Sequence, residues 1–389
     1  MKTSRRAFLG GSVALAAARW SGALQAQQDS RGGPIFAYVG CYTTAQRYAR
    51  GDGIHVYRMN AENGAWTHVQ RAGNLVNPSF LAVDRRQRYL YSVHGDETYA
   101  TSFSIDRATG QISPLNRAAT GGRNGVHLAL SANGRFLVVA NYSSGSVAVL
   151  PVKEDGTLAD AAHVVPLPGQ PGPNRVEQSS SHPHHVVFDP SGRFVVVPDK
   201  GLDRVFVFSF DAESGKLTPT AQGSAVARSG SGPRHAAFHP ALTVLWVLNE
   251  INSTVTTYYW EAERGHLRAA QILPTLPSEY TGENTGSEIA VPSGGKFVYC
   301  SNRGHDSVAI FAADPATGLL TSAGWVPTQG RTPRFIGFDP SARFLYATNE
   351  QSDTVLSWRM DPADGHLTPT GQVVRNASPV AIAFSRGEA

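Results

Sequence analysis

Only two cysteines, Cys41 and Cys300, occur in the 389 residues. They are read as two buried thiols rather than a disulfide, because they fall in corresponding positions of distant repeats. No Cys/His spacing resembles a zinc site, and neither a metal nor a cofactor is expected. No segment is long and apolar enough to span a bilayer as a helix; the apolar run at residues 10–18 is too short and too rich in Ala and Gly. An excess of charge is missing too. The formal net charge is +4, but Lys2, Arg5, Arg6 and Arg19 lie in the first 26 residues without an acid among them, so without that segment it is zero. The basic pI therefore carries no argument for nucleic-acid or membrane binding.

The segment itself has a reading. Ser4-Arg5-Arg6-Ala7-Phe8-Leu9, the apolar run after it and small residues near Ala26 form a twin-arginine export signal. That route carries folded proteins, so a periplasmic or secreted protein is expected. The division is an export signal at 1–26 and one domain at 35–385.

What the chain has in abundance is one pattern, repeated seven times. A short apolar strand leads into an Asp-Pro-Ser-Gly-Arg-like turn, and a second apolar strand ends in Asn or Asp. FDPSGRFVVVPD (188–199), FDPSARFLYATN (338–349) and LSANGRFLVVAN (130–141) are the clearest copies. The first turn residues are Asp84, Ser131, Asp189, His239, Pro292, Asp339 and Ser385, at intervals of 47, 58, 50, 53, 47 and 46 residues. Short strands at such a period predict a β-propeller with four strands per blade. Runs such as Phe194-Val195-Val196-Val197 suit strands covered on both faces by neighbouring blades.

The first repeat starts with a second strand, at residues 36–40, and has no first one. The C-terminus carries a surplus first strand, at residues 379–384. Together they predict a seven-bladed ring whose first blade is closed by the C-terminal strand; six blades is the alternative count. An open solenoid would leave the matching ends without purpose.

In a propeller the start of each innermost strand and the end of each second strand share one rim. The starts include Asn77-Pro78-Ser79, Val126-His127, His182-Pro183-His184, Pro233-Arg234-His235, Ser287-Glu288 and Pro333-Arg334. The ends include Asn141, Asp199, Asn249-Glu250, Asn302-Arg303 and Asn349-Glu350. Most of the Asn and Asp residues are read as turn formers. His184, Arg234, Glu250 and Arg303 are different, since they converge from adjacent blades. Guanidiniums suit an anionic or polarised oxygen-rich ligand, and an imidazole is the natural proton carrier near neutral pH. The long Pro- and Gly-rich spacers at 166–181 and 274–286 are read as lids over this sector.

At these same residues the chain resembles the seven-bladed lactonase family, which includes propeller-type 6-phosphogluconolactonases and fungal 3-carboxy-cis,cis-muconate cyclases. The matching runs are HPHHVVFDPSGRFVVVPDKGLDRV (182–205), GPRHAAFHP (232–240) with VLNE (247–250), and SEIAVPSGGKFVYCSNRGHDSVAIF (287–311). The resemblance implies His184, Arg234, Glu250 and Arg303 as catalytic residues, with His182, His235, Asn249 and Glu288 secondary. Arg334, at the start of blade seven, joins the binding residues. Lys200 departs from the pattern by adding a cation, and Pro292 by removing a turn aspartate.

What the resemblance implies is hydrolysis of a sugar lactone, phosphorylated or not. Arg234 and Arg303 would stabilise the oxyanion, and His184 would take a proton from water and return it to the ring oxygen. The alternatives are a lactonising cyclase or a propeller that binds without turnover; no repeated Trp-Gly pattern supports a quinone dehydrogenase. A small lactone or sugar acid is the expected partner, with no nucleic acid, no membrane after signal removal, and a monomeric state.

Overall fold

The computed structural model describes residues 33–388, so the export segment read at 1–26 lies outside the described residues. Seven four-stranded antiparallel sheets form the ring. Blade five shows the plan: Pro233–Phe238 is innermost, followed outward by Val244–Asn249, Thr254–Glu261 and His266–Pro274. Among the described residues, the two helical elements are single 3-10 turns at Ala45–Arg47 and Glu350–Ser352.

The ring closes as its ends predict. Ile35–Cys41 lies between Ile54–Met59 and the C-terminal strand Pro379–Arg386, with Ala37 opposite Phe384 and Val39 opposite Ile382. Pairing the two ends of the chain inside one sheet removes the free edges that would otherwise open the ring.

The repeated turn is organised by its first side chain. Asp189 accepts from the Phe194 N–H at 2.9 Å and from the Ser191 hydroxyl at 2.7 Å. Asp339 accepts from the Phe344 N–H at 2.8 Å in the same way. In blade five, His239 takes over, its Nδ1 accepting from Ala241 and Leu242 N–H at 2.9 and 2.8 Å. An Asx-type acceptor fixes a tight turn because it replaces a backbone carbonyl in reach of the next N–H groups. Blade six has Pro292 there and keeps only the backbone bond from Gly295 N–H to the Pro292 carbonyl, at 2.9 Å.

Apolar residues on alternate positions serve two neighbours. Phe194 and Val196 pack toward blade five, while Val195 and Val197 pack toward blade three. Each of the seven blade interfaces has its own cluster of this kind. Cys41 and Cys300 are free thiols buried in two of them. No helix among the described residues is long and apolar enough to cross a membrane.

Candidate active site

Every blade makes the same irregularity at one rim, and the site is built from it. In blade five Pro233 pairs with Asn249 but His235 pairs with Leu248, so Arg234 is an extra residue on the inner strand. The same shift leaves Val380, Ser79, Val126 and Arg334 as extras in blades one, two, three and seven. Blade four has His184, His185 and Val186 between paired Pro183 and Val187, against two residues of its partner strand. In blade six Ser287 and Glu288 face Ser301 alone. A β-bulge re-aims the side chain it inserts. Around a ring, such bulges aim side chains from successive blades into the channel.

Six of those extras, Val380, Ser79, Val126, His184, Arg234 and Arg334, line a cavity of about 20 Å³ together with Tyr42, Phe80, His235 and Glu288. That is room for about one water molecule. Beside it lies a wider depression of about 530 Å³, lined by Gln46, Arg47, Asp96 and Glu350 and sharing Tyr42 and Arg334 with the cavity.

Two ionic groupings hold the cavity wall. The first is centred on Glu250, at the end of the second strand of blade five. Its Oε1 lies 3.0 Å from Lys200 Nζ, and its Oε2 lies 2.8 Å from Arg234 Nε and 3.2 Å from Arg303 Nη2. The Arg234 contact is an ion pair by distance rather than an aligned hydrogen bond, since Nε–H has no acceptor in line. Arg234 donates instead from Nη1 to the Ser287 carbonyl, and Arg303 from Nη2 to the Gly286 carbonyl at 3.1 Å. Burial pushes the Glu250 carboxyl up, but Arg303, Lys200 and Arg234 outweigh it and hold the group well below the usual carboxylate range. Burial and the neighbouring Arg303 bring Arg234 down to about 10, still charged at neutral pH.

The second grouping is the pair of His235 and Glu288, with Nδ1 of the ring 2.7 Å from Oε1. Around it lie three more imidazoles. His127 and His185 are 3.8 Å apart by ring centroid, His185 and His235 4.5 Å, and His184 and His235 5.2 Å. All four rings are held well below the ordinary histidine value by burial first, and then by Arg234 and by one another. They are neutral at neutral pH. Burial pushes the Glu288 carboxyl up to about 7, against the pull of Arg234 and His185.

The residues singled out from sequence are thus distributed in three ways. His184, Arg234, His235, Glu288 and Arg334 line the cavity. Glu250 and Arg303 stand behind Arg234 and fix it. His182 and Asn249 have other partners. The His182 ring stacks on Tyr142, with planes 7° apart and centroids at 4.3 Å. Asn249 donates to the hydroxyls of Thr254 and Thr256, both at 2.9 Å. Loop 166–181 brings Glu177 to within 2.6 Å of Lys200 Nζ, so it bears on the Glu250 grouping through that lysine. The site reading did not include His127, His185, Tyr42 or Glu177. His127 and His185 each follow a bulge residue, as His235 and Glu288 do, and that shared position is the signal that would have found them.

Many known proteins are similar to this chain in sequence or fold. The chain matches the family described as "Lactonase, 7-bladed beta-propeller" over residues 36–384. A 6-phosphogluconolactonase of Bacillus subtilis is 33% identical, covering 78% of this chain and 85% of its own length. A structure of a periplasmic gluconolactonase of Pseudomonas aeruginosa superposes with a TM-score of 0.83 and 31% identity, over 90% of this chain and 99% of that one. A putative 6-phosphogluconolactonase of Bacteroides fragilis has a TM-score of 0.83 and 29% identity, over 91% and 98% of the two chains. With the family matched across all seven blades, and the bulge residues of six of them gathered around one polar cavity, the chain belongs to the seven-bladed β-propeller lactonases.

Proposed function

We propose that the protein hydrolyses an unphosphorylated sugar lactone in the periplasm. The observation that carries this reading is the pairing of two spaces. A cavity with room for about one water lies among His184, Arg234, His235 and Glu288, and a depression large enough for a sugar ring adjoins it at Tyr42 and Arg334. The lactone lies in the depression with its carbonyl over the cavity, and the water attacks from within.

The steps follow from the charges. Water adds to the carbonyl carbon, and the carbonyl electron pair moves onto oxygen beside Arg234, with Arg334 flanking and Arg303 supporting Arg234 from behind through Glu250. Guanidiniums fixed before the reaction stabilise this oxyanion without reorganising. His184, neutral because burial and Arg234 disfavour its charged form, carries the water's proton to the ring oxygen as the ring C–O bond breaks. Glu250 keeps Arg234 and Arg303 in place.

Charge balance favours an unphosphorylated substrate. The cations at this rim, Arg47, Lys200, Arg234, Arg303 and Arg334, are answered by Asp96, Glu177, Glu250 and Glu350. One positive charge is left over, and Glu288 in the cavity wall cancels it when ionised, so the rim suits a polarised carbonyl better than a phosphate dianion or a dicarboxylate. Export by the signal at residues 4–9 agrees with this, since phosphorylated sugars are cytoplasmic metabolites, and the Pseudomonas gluconolactonase is periplasmic.

The test is acid release in a pH-stat by purified mature protein, with gluconolactone and its phosphorylated counterpart compared against spontaneous hydrolysis. Hydrolysis above background, with the higher kcat/KM on the unphosphorylated lactone, is expected. Preference for the phosphorylated lactone overturns the specificity. Folded protein without activity on any lactone overturns the hydrolase reading and leaves a binding propeller.

A further inference from the structure

Hydrolysis at this cavity needs one thing more. The proton taken from water must rest somewhere until the ring oxygen departs, and His184 is poorly placed to hold it. Arg234, Lys200 and Arg334 all oppose a positive charge on that buried ring. We infer that His235 and Glu288 act as one proton-holding unit, which takes the proton of the attacking water through His184 and returns it the same way. This rests on the hydrolytic reading and adds two catalytic residues to it.

The geometry is that of an oriented base. His235 and Glu288 are joined at 2.7 Å, with side chains 3% and 6% exposed, and both line the water-sized cavity. His235 Nε2 is buried without a hydrogen-bond partner, although its ring packs 5.2 Å from that of His184. An imidazole anchored through one nitrogen to a carboxylate, with the other nitrogen free, is the arrangement that serves as a general base at many unrelated sites. His184 has no carboxylate partner of this kind, and its own Nδ1 is also without one.

The step balances. The water O–H bond breaks as the new C–O bond forms, and the proton passes by way of His184 to His235 Nε2. As it arrives, the Nδ1 proton of His235 moves to Glu288, so no imidazolium persists. Collapse of the tetrahedral intermediate breaks the ring C–O bond, and the proton returns to the departing oxygen. The product acid then loses its own proton to solvent.

A distinct pH dependence follows. The pair faces His127, His184 and His185 from blades three and four, whose rings stay neutral near pH 7 because burial depresses them. It also faces Arg234 and Arg334, with Glu250 and Arg303 behind them and Cys300 on the adjoining strand. Glu250 is held ionised by its cations, and burial pushes the Cys300 thiol far up. Glu288, pushed up to about 7, is the member of this group that titrates near neutrality. Activity should therefore rise with pH through about 7, as the carboxyl becomes ready to accept a proton.

The experiment compares wild type and Glu288→Gln by the pH profile of kcat/KM on gluconolactone, with melting curves to establish folding. Gln keeps the volume and an acceptor for His235 but cannot take a proton. A loss of about 100-fold, with the limb near neutrality gone, is expected. A loss smaller than about tenfold, or a limb that stays in place, overturns the inference. Should Glu288→Gln not fold, wild-type protein labelled with 13C at glutamate carboxyls decides the matter. One carboxyl titrating near neutrality, with its midpoint moved in His235→Asn, is expected, and no such carboxyl overturns it. Wild-type protein without lactone hydrolysis instead overturns the reading on which this one rests.

Discussion

Replacing Glu250 by glutamine strips the counter-charge from three cations at once. Lys200, Arg234 and Arg303 have side chains 4%, 3% and 14% exposed, around a carboxylate that is itself 9% exposed. Removing one partner of a buried ion pair costs about 3–5 kcal/mol, because the remaining charge is left without compensation. Here the low end is expected. Lys200 keeps Glu177, and both arginines keep backbone carbonyls. With an unfolding entropy of ~2.1 cal/mol/K per residue over roughly 350 residues, 1 kcal/mol shifts the melting temperature by ~1.4 °C, so a fall of about 4 °C follows. Glu177→Gln is the internal control. Glu177 is 48% exposed and Lys200 retains Glu250, so the loss should stay below about 1 kcal/mol. The pH dependence has a definite sign. Because the folded-state pKa of Glu250 is depressed, its stabilisation is complete above the ordinary glutamate value of 4.5 and fades as the pH falls through the folded value. The difference between wild type and Glu250→Gln should narrow as the pH falls below 4.5. Calorimetry or circular-dichroism melting reads all of this. Equal melting of wild type and Glu250→Gln, or an equal penalty for Glu177→Gln, would refute the reasoning.

Deleting residues 376–389 removes the strand that closes blade one and should lower the melting of the whole ring as a single transition; unchanged melting would contradict the closure. Changing Arg5 and Arg6 to Lys should leave unprocessed protein in the cytoplasm on fractionation, and processed protein outside it would rule out the twin-arginine route. His239→Ala, in the turn on the opposite rim, loses an acceptor for Ala241 and Leu242 N–H. It should cost about 1 kcal/mol of stability in a denaturant melt, and leave lactone turnover at the wild-type level.

The ring was legible because its causes are local. A tight turn needs an acceptor at a fixed place, so Asp189 and Asp339 recur at the repeat period, and alternate apolar residues follow from burial on both faces. The rim was legible as well, because propeller topology converts repeat position into spatial position. Sequence did not reveal which side chains bond across blades. Asn249 sits beside Glu250 at a strand end, yet its amide is occupied by Thr254 and Thr256 on the next strand. His127 and His185 enter the cluster through a one-residue bulge, which shifts the pairing without changing composition. Glu177 reaches Lys200 from a long loop whose docking depends on contacts far away in sequence, including Gln178 donating to the Lys200 carbonyl at 2.9 Å.

We propose that lactone hydrolysis occurs at the cavity among His184, Arg234 and the His235–Glu288 pair. The most direct test is the turnover of His184→Ala on gluconolactone, measured on protein shown to be folded, with His239→Ala run beside it. His184 supplies the imidazole nearest the proposed reacting atoms, so kcat should fall by roughly 100- to 10,000-fold, while His239→Ala stays at the wild-type rate. His184→Ala with near-normal lactonase activity would contradict the account and move the chemistry away from this cavity.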